Sequence, residues 1–448
     1  MRRSEPYHLS MKELAELGSD HIPEEFVPAC RLIYSSPATL SYNSPGALGF
    51  GVKRAALCIP ESVMLLVAPD CCGRNSTILS GEEGYSRRMF YLRMNETDLV
   101  TGRHLTMIPE AIREICRVAV PVPKVVTICI TCVDALLGTD LERVCRKAAA
   151  ETGVRVVPGY MYALTREGRK PPMTAVRRTI YSLLEKREKQ PDMVNLLGFF
   201  SALDSRSELF VLLSGAGIRT VNQISAFKTL DAYMAMGAAN FNLVLDPESR
   251  FAAEDLMNRL GMPYIELARL YDAGKIRKQY ELFAAAVGTK FNLSQYEDEA
   301  LLAVDRIRKT YGTLSFAVGQ MLNAHPFELA LSLVRYGFRV PYICAAPVGE
   351  DFPFIRSLAS LSPDTAVYTN ISPTMMQFEP VTSGVDVTIG KDIGPYFPAG
   401  VHIDWISELQ PFGFQAVRDL FTETARCLST AWGRRPGLSE TARSGETV

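Results

Sequence analysis

VMLLVAPDCCGRNS (Val63 to Ser76) and KVVTICITCVDALLGTDLERV (Lys124 to Val144) decide the fold. Each opens with an apolar run, Val63 to Pro69 and Val125 to Ile130. A short apolar run bounded by turn residues reads as a strand buried on both faces, the signature of a parallel sheet. Cys71 and Cys72 follow the first run, Cys129 lies in the second and Cys132 just after it. The cysteines are therefore expected at the carboxyl ends of two strands, the edge at which open α/β sheets bind ligands. Cys58 lies a few residues upstream of the first run.

Working outward, strands and helices alternate. Val154 to Pro158 is the next expected strand, after a helix from Leu136 to Thr152, and Pro109 to Val118 is helical. In NETDLVTG, Asp98 or Thr101 is placed to cap a helix start. Further strands are expected at Met193 to Gly198, Ile218 to Val221 and Asn240 to Val244, then at Leu314 to Val318, Val340 to Ala345, Ala366 to Tyr368 and Val385 to Ile389. Helical patterns separate them, including a long region from about Ile276 to Tyr311. This alternation predicts an α/β fold of three Rossmann-like domains with parallel sheets. The expected boundaries are 1–190, 191–305 and 306–430, with 431–448 a disordered Gly-, Ser-, Thr- and Arg-rich tail.

Composition narrows the function. The chain has 448 residues, too many for one core. A net charge of −1 offers no basic field for nucleic acid or anionic membrane. No apolar run reaches the roughly 18 residues that span a bilayer, and MRRSEPYHLSMKELAELGSD lacks the apolar core of a signal peptide. A cytoplasmic location is expected. There, ten cysteines do not read as a disulfide framework. Cys30, Cys116, Cys145, Cys344 and Cys427 are expected to be ordinary buried residues.

Several segments in order carry a family resemblance: VAPDCCGRNS, MNETDLVTG, TCVDALLGTDLERV, VNLLG with LLSGAGIRTV, and VTIGKDIGPYFPAGVHIDWISELQPFGFQAVRDLF. Over about residues 40 to 425 the chain resembles the catalytic-component (component 1) subunits of nitrogenase. Dark-operative protochlorophyllide reductase and nickel-sirohydrochlorin reductive cyclase belong to the same group. The resemblance implies an iron–sulfur cluster held by cysteines at the interface of two subunits. It places one ligand at Cys72 and another at Cys132. The family's first ligand maps near Ser44 to Gly49, which holds no cysteine. Cys58 is the nearest candidate, Ser44 is a possible oxygen ligand, and Cys71 and Cys129 are the thiols available as replacements. This altered set implies a single 4Fe-4S cubane rather than the larger 8Fe-7S cluster.

The resemblance also implies a like or similar component 1 subunit as partner and an ATP-dependent iron protein as electron donor. GFGVK (Gly49 to Lys53) lacks the full Walker spacing, so no ATP site is expected in this chain. In nitrogenase proper, one cysteine and one histidine hold the active-site cofactor. The matching segments here are FNLVLDPES and ELQPFGFQAV, with Leu245 or Asp246 at the first site and Gln410 or Pro411 near the second. His-Gly-Pro of the family becomes Val67-Ala68-Pro69. The implied function is a reductase acting on a substrate other than dinitrogen. The alternative is a non-catalytic scaffold or carrier for metal-cofactor assembly. His325 and His402 are candidate proton donors beside ordinary structural roles, and Arg87, Arg88 and Arg93 read as surface or interface charges.

Overall fold

A computed structural model of the chain describes residues 5–26, 38, 57–70, 73, 85–130, 137–160 and 172–432. Two compact units are present: residues 1–44 with 203–216 and 269–448, and residues 45–202 with 217–268. Strand β1 (Leu9–Ser10) runs straight into a helix at Met11–Leu17. Ser10 Oγ accepts from Glu13 N while Ser10 N donates to Glu13 Oε2, a reciprocal cap that fixes the helix start.

The unit of residues 45–202 and 217–268 holds two four-stranded parallel sheets. The first contains β2 (Ser62–Ala68), β3 (Met89–Arg93), β4 (Val125–Ile130) and β5 (Arg155–Tyr160), in the order β3-β2-β4-β5. All seven residues of β2 and all six of β4 are buried, because parallel strands are covered on both faces. The faces separate with period two. Val63, Leu65, Val67, Val126, Ile128 and Ile130 form one core with Ile108, Ile112 and Ile115 of the helix Arg103–Val118. Met64, Leu66, Ala68, Val125 and Cys129 turn to the other core, with Val176 and Ile180 of the helix Pro172–Ile180. The helix at 141–152 begins at Leu141 rather than Leu136, because the Asp140 carboxylate accepts from Arg143 N at 2.9 Å and caps it. In MNETDLVTG the cap is Asn95, and Asp98 closes the capping box from inside the helix.

The second sheet contains β6 (Gln190–Leu197), β7 (Thr220–Gln223), β8 (Ala239–Val244) and β9 (Tyr264–Glu266), in the order β7-β6-β8-β9. Each sheet winds outward from its first strand in both directions. Its switch point therefore lies between the first and third strands, β2 and β4 or β6 and β8.

The other unit carries β10 (Ser315–Val318), β11 (Arg339–Cys344), β12 (Ala366–Tyr368), β13 (Val387–Ile389) and β14 (Val401–Ile403). Their order is β1-β12-β11-β10-β13-β14, with β1 antiparallel at the edge and the others parallel. The long helical region is two helices, Ala273–Ala286 and Ser294–Tyr311, separated where Gly288 turns left-handed at φ 73°. The closing helix, Gly413–Trp432, starts at Phe414 and Gln415, whose N–H groups donate to the Glu208 carboxylate. The α/β class with parallel sheets is thus the class the chain adopts.

Candidate functional site

At the first sheet's switch point, Val67 of β2 lies in register with Ile130 of β4, so the two central strands end level. From these ends the sequence continues to Cys71 and Cys72 on one side and to Cys132 on the other. These three cysteines lie outside the described residues, as does Ser44. Four further residues shape the described part of this edge. Arg93 Nε lies 2.7 Å from Asp70 Oδ1, and Tyr91 OH donates to the same carboxylate. Gly73 N donates to Pro69 O at 3.1 Å, and a Cβ on Gly73 would overlap the Tyr91 ring. Any larger residue at 73 would have to displace the Tyr91 ring.

The other two candidate thiols lie within the described residues. Cys129 is inside β4, between Leu66 and Gly159, and wholly buried. Cys58 precedes the amino end of β2, and its Sγ donates to Phe200 O at 3.5 Å. Seven residues of strand, about 20 Å at roughly 3.3 Å per residue, run from the Cys58 side of β2 to the end that leads into Cys71 and Cys72. The fold thus sets Cys58 against the second sheet's edge.

The Cys58 loop is tied down by Arg88. Its guanidinium donates to Leu57 O at 2.6 Å, Ile59 O at 3.1 Å, Ser62 O at 2.9 Å and Ser62 Oγ at 2.9 Å. Burial lowers this guanidinium from its usual value. The expectation of a surface or interface charge fits exposed Arg93; Arg88 instead clamps a loop, a role set by carbonyls that sequence does not place.

Beside Cys58 is the second sheet's switch point. Phe200 follows β6, and Asp246 and Glu248 follow β8. Arg177, from the helix Pro172–Ile180, stacks 4.3 Å from the Phe200 ring centroid. Its Nη2 lies 2.9 Å from Glu248 Oε2 and 3.5 Å from Asp246 Oδ2. Asp246, one of the two residues (with Leu245) matched to the family's cofactor thiolate, is thus held in a carboxylate–guanidinium cluster.

In the other unit, a cavity of about 640 Å³ is lined by Arg206, His402, Asp404, Trp405, Pro411 and Asp419, among others. His402 is fixed on both ring nitrogens, with Nδ1 2.8 Å from Thr388 Oγ1 and Nε2 2.9 Å from Asp404 Oδ1. Those two contacts fix the ring plane at the cavity wall. His325 instead caps the helix Pro326–Arg335 and lies 2.7 Å from Asp351 Oδ1, a structural placement. Gln410 accepts from Arg269 Nη2 at 2.8 Å.

Cys145 and Cys344 are buried residues whose thiols burial pushes up, which opposes the thiolate form that ligates metal. Burial likewise raises Cys116 and Cys427. Cys30 lies outside the described residues. Among the described residues no group of three His, Cys, Asp or Glu side chains is gathered for a metal ion. Arg177 was missed by sequence reading because nothing in TAVRRTI distinguishes it from Arg178 beside it.

A family model described as nitrogenase component 1 type oxidoreductase matches residues 49–404. The nitrogenase iron-molybdenum cofactor biosynthesis protein NifE of Mesorhizobium japonicum is 29% identical over 234 residues, 48% of this chain and 47% of that protein. NifE of Rhodobacter capsulatus is 29% identical over 225 residues, 48% of this chain and 46% of that protein. The nitrogenase molybdenum-iron protein alpha chain of Methanosarcina barkeri is 24% identical over 306 residues, 63% of this chain and 57% of that protein. The matched stretch spans about half the length of these curated relatives. A solved structure, "Nitrogenase Cp1 at pH 6.5", superposes with a TM-score of 0.66 at 17% identity, covering 87% of this chain and 93% of that one. It is similar in fold. No helix among the described residues is long and apolar enough to cross a membrane.

Proposed function

This chain belongs to the nitrogenase component 1 type oxidoreductase family, and on that premise we propose that it is the cluster-holding subunit of a nitrogenase-like reductase. The observation that carries this reading is the level ending of β2 and β4 at a switch point, with a cysteine-bearing segment continuing from each. Cys72 and Cys132 are the thiolates we assign to an iron–sulfur cluster, and Cys71 is the further thiol next to them in sequence. Such a cluster carries one electron at a time, and burial and hydrogen bonds to its sulfurs set its potential. Two or three thiolates leave a 4Fe-4S cubane short of four ligands. A like or similar subunit supplies the remainder in this reading, and an ATP-dependent iron protein supplies electrons in the cytoplasm.

Around this edge the chain's own residues position the turn. Asp70, held by Arg93 and Tyr91, and Gly73, closed against Tyr91, brace the backbone on both sides of Cys71 and Cys72. The substrate we propose is not dinitrogen. Leu245 or Asp246, the latter paired with Arg177, in place of the family's cofactor thiolate supports this. His402 at the cavity wall is the proton donor we assign to the reduction.

A second reading, an assembly scaffold for a metal cofactor, is favoured by one finding: NifE relatives are named for cofactor biosynthesis. Iron and acid-labile sulfide, with electron paramagnetic resonance, on anaerobically purified protein test the shared premise. About four irons per dimer, lost in Cys72→Ala/Cys132→Ala, are expected. Iron-free protein after reconstitution would sink both readings. Turnover with a matching iron protein then selects the reductase, and cluster transfer to an apo-acceptor without turnover selects the scaffold.

A further inference from the structure

Arg177 is 6% exposed, yet among the described residues its Nε and Nη1 have no hydrogen-bond partner. Only Nη2 is engaged, by Glu248 and Asp246. A buried, charged donor without an acceptor is costly, and native folds rarely leave one unless a ligand, ion or water completes it. The surroundings favour a ligand. The guanidinium lies at the carboxyl edge of β6 and β8, where the winding of the sheet reverses and α/β sheets open a crevice. The Phe200 ring stacks on the guanidinium and fixes its plane, so the unused N–H groups point in set directions. The side chains that cover it are less buried than it is. Glu248 is 49% and Asp246 28% exposed, so the cover opens to solvent.

We infer that Arg177 anchors a binding site for a small oxyanion-bearing molecule, whose oxygens pair Nη2 with Nε or with Nη1 beside Phe200 and Cys58 once Glu248 is displaced. A planar, forked cation matches carboxylate and phosphate oxygens in pairs. Either pair includes Nη2, the nitrogen that the two resident carboxylates hold. Of the two, Glu248 is the more exposed and is the group a bound anion displaces. The site is separate from the cysteine edge of β2 and β4 and goes beyond the cluster reading. It stands whether or not the protein holds iron.

The test is calorimetric titration of the full chain with inorganic phosphate and, separately, with succinate, alongside thermal unfolding at each concentration. Saturable binding of at least one probe is expected, with a rise in unfolding temperature. The probe that binds identifies the oxyanion as phosphate or carboxylate. Arg177→Gln is expected to weaken that binding at least tenfold. Glu248→Gln, a substitution of a half-exposed side chain, is expected to tighten it severalfold and remains informative if Arg177→Gln does not fold. Absence of saturable binding by both probes, equal affinity in Arg177→Gln, or no tightening in Glu248→Gln would overturn the inference.

Discussion

Asn195 on β6 donates through its side-chain amide to Asn242 Oδ1 on β8 at 2.9 Å, and neither residue is exposed to solvent. On its other side Asn195 Oδ1 accepts from Asn222 of β7, also at 2.9 Å. The three are register partners, so one row of amides crosses the sheet. Asn195→Leu leaves Asn222 and Asn242 each short of a partner inside the core. Unfolding free energy in urea is expected to fall by about 3 kcal/mol, at roughly 1–3 kcal/mol per orphaned group. A loss under about 1 kcal/mol would show that the row relaxes or admits water.

Arg88→Ala removes four hydrogen bonds from the Leu57–Ser62 loop. Stability is expected to drop by about 2–4 kcal/mol, with faster amide exchange confined first to residues around Cys58. Arg88→Lys recovers only part of this, because one ammonium cannot reach three carbonyls in a fork. Unchanged exchange in that loop would refute the clamp.

Gly413→Ala is expected to be strongly destabilising. A Cβ there would overlap Glu208 Oε1, and φ is +68°. The substitution either displaces Glu208 from the helix N–H groups or unwinds the first turn. A loss above about 3 kcal/mol is expected from equilibrium unfolding.

Glu208 makes stability depend on pH. Burial raises its carboxyl above the usual range, despite hydrogen bonds from Tyr280 OH, Phe414 N and Gln415 N. The folded state therefore holds this proton to higher pH than the unfolded chain. The contribution is full below the unfolded pKa of about 4.3 and is lost as pH rises through the folded value. Glu208→Gln should flatten this part of the pH–stability curve, read by denaturation from pH 4 upward. An identical slope in wild type and variant would contradict it.

The cysteines divide by position. Cys72→Ser and Cys132→Ser are each expected to lower bound iron by more than half. Cys129→Ser, buried within β4, is expected to cost about 1–2 kcal/mol of stability by burying a hydroxyl while iron is retained. Iron lost equally in all three would make Cys129 part of the ligand set.

The sequence by itself determined the parallel α/β class, since β2 and β4 announce themselves as unbroken apolar runs that only a doubly covered strand needs. It also placed Cys72 and Cys132 after the ends of two strands, because chain order fixes the residues next in line after each strand. That those two strands are neighbours and end level was decided by the tertiary structure. Tertiary structure alone set Cys58 beside Phe200, 142 residues away in the chain. It also turned Arg88 onto carbonyls some 30 residues upstream and left two donors of Arg177 buried without an acceptor among the described residues. Local pattern is written in burial and spacing, which each segment carries in its own residues. A hydrogen-bond partner distant in the chain leaves no such mark, and polar side chains such as Asn195, Arg88 and Arg177 take their meaning from what the fold brings to them.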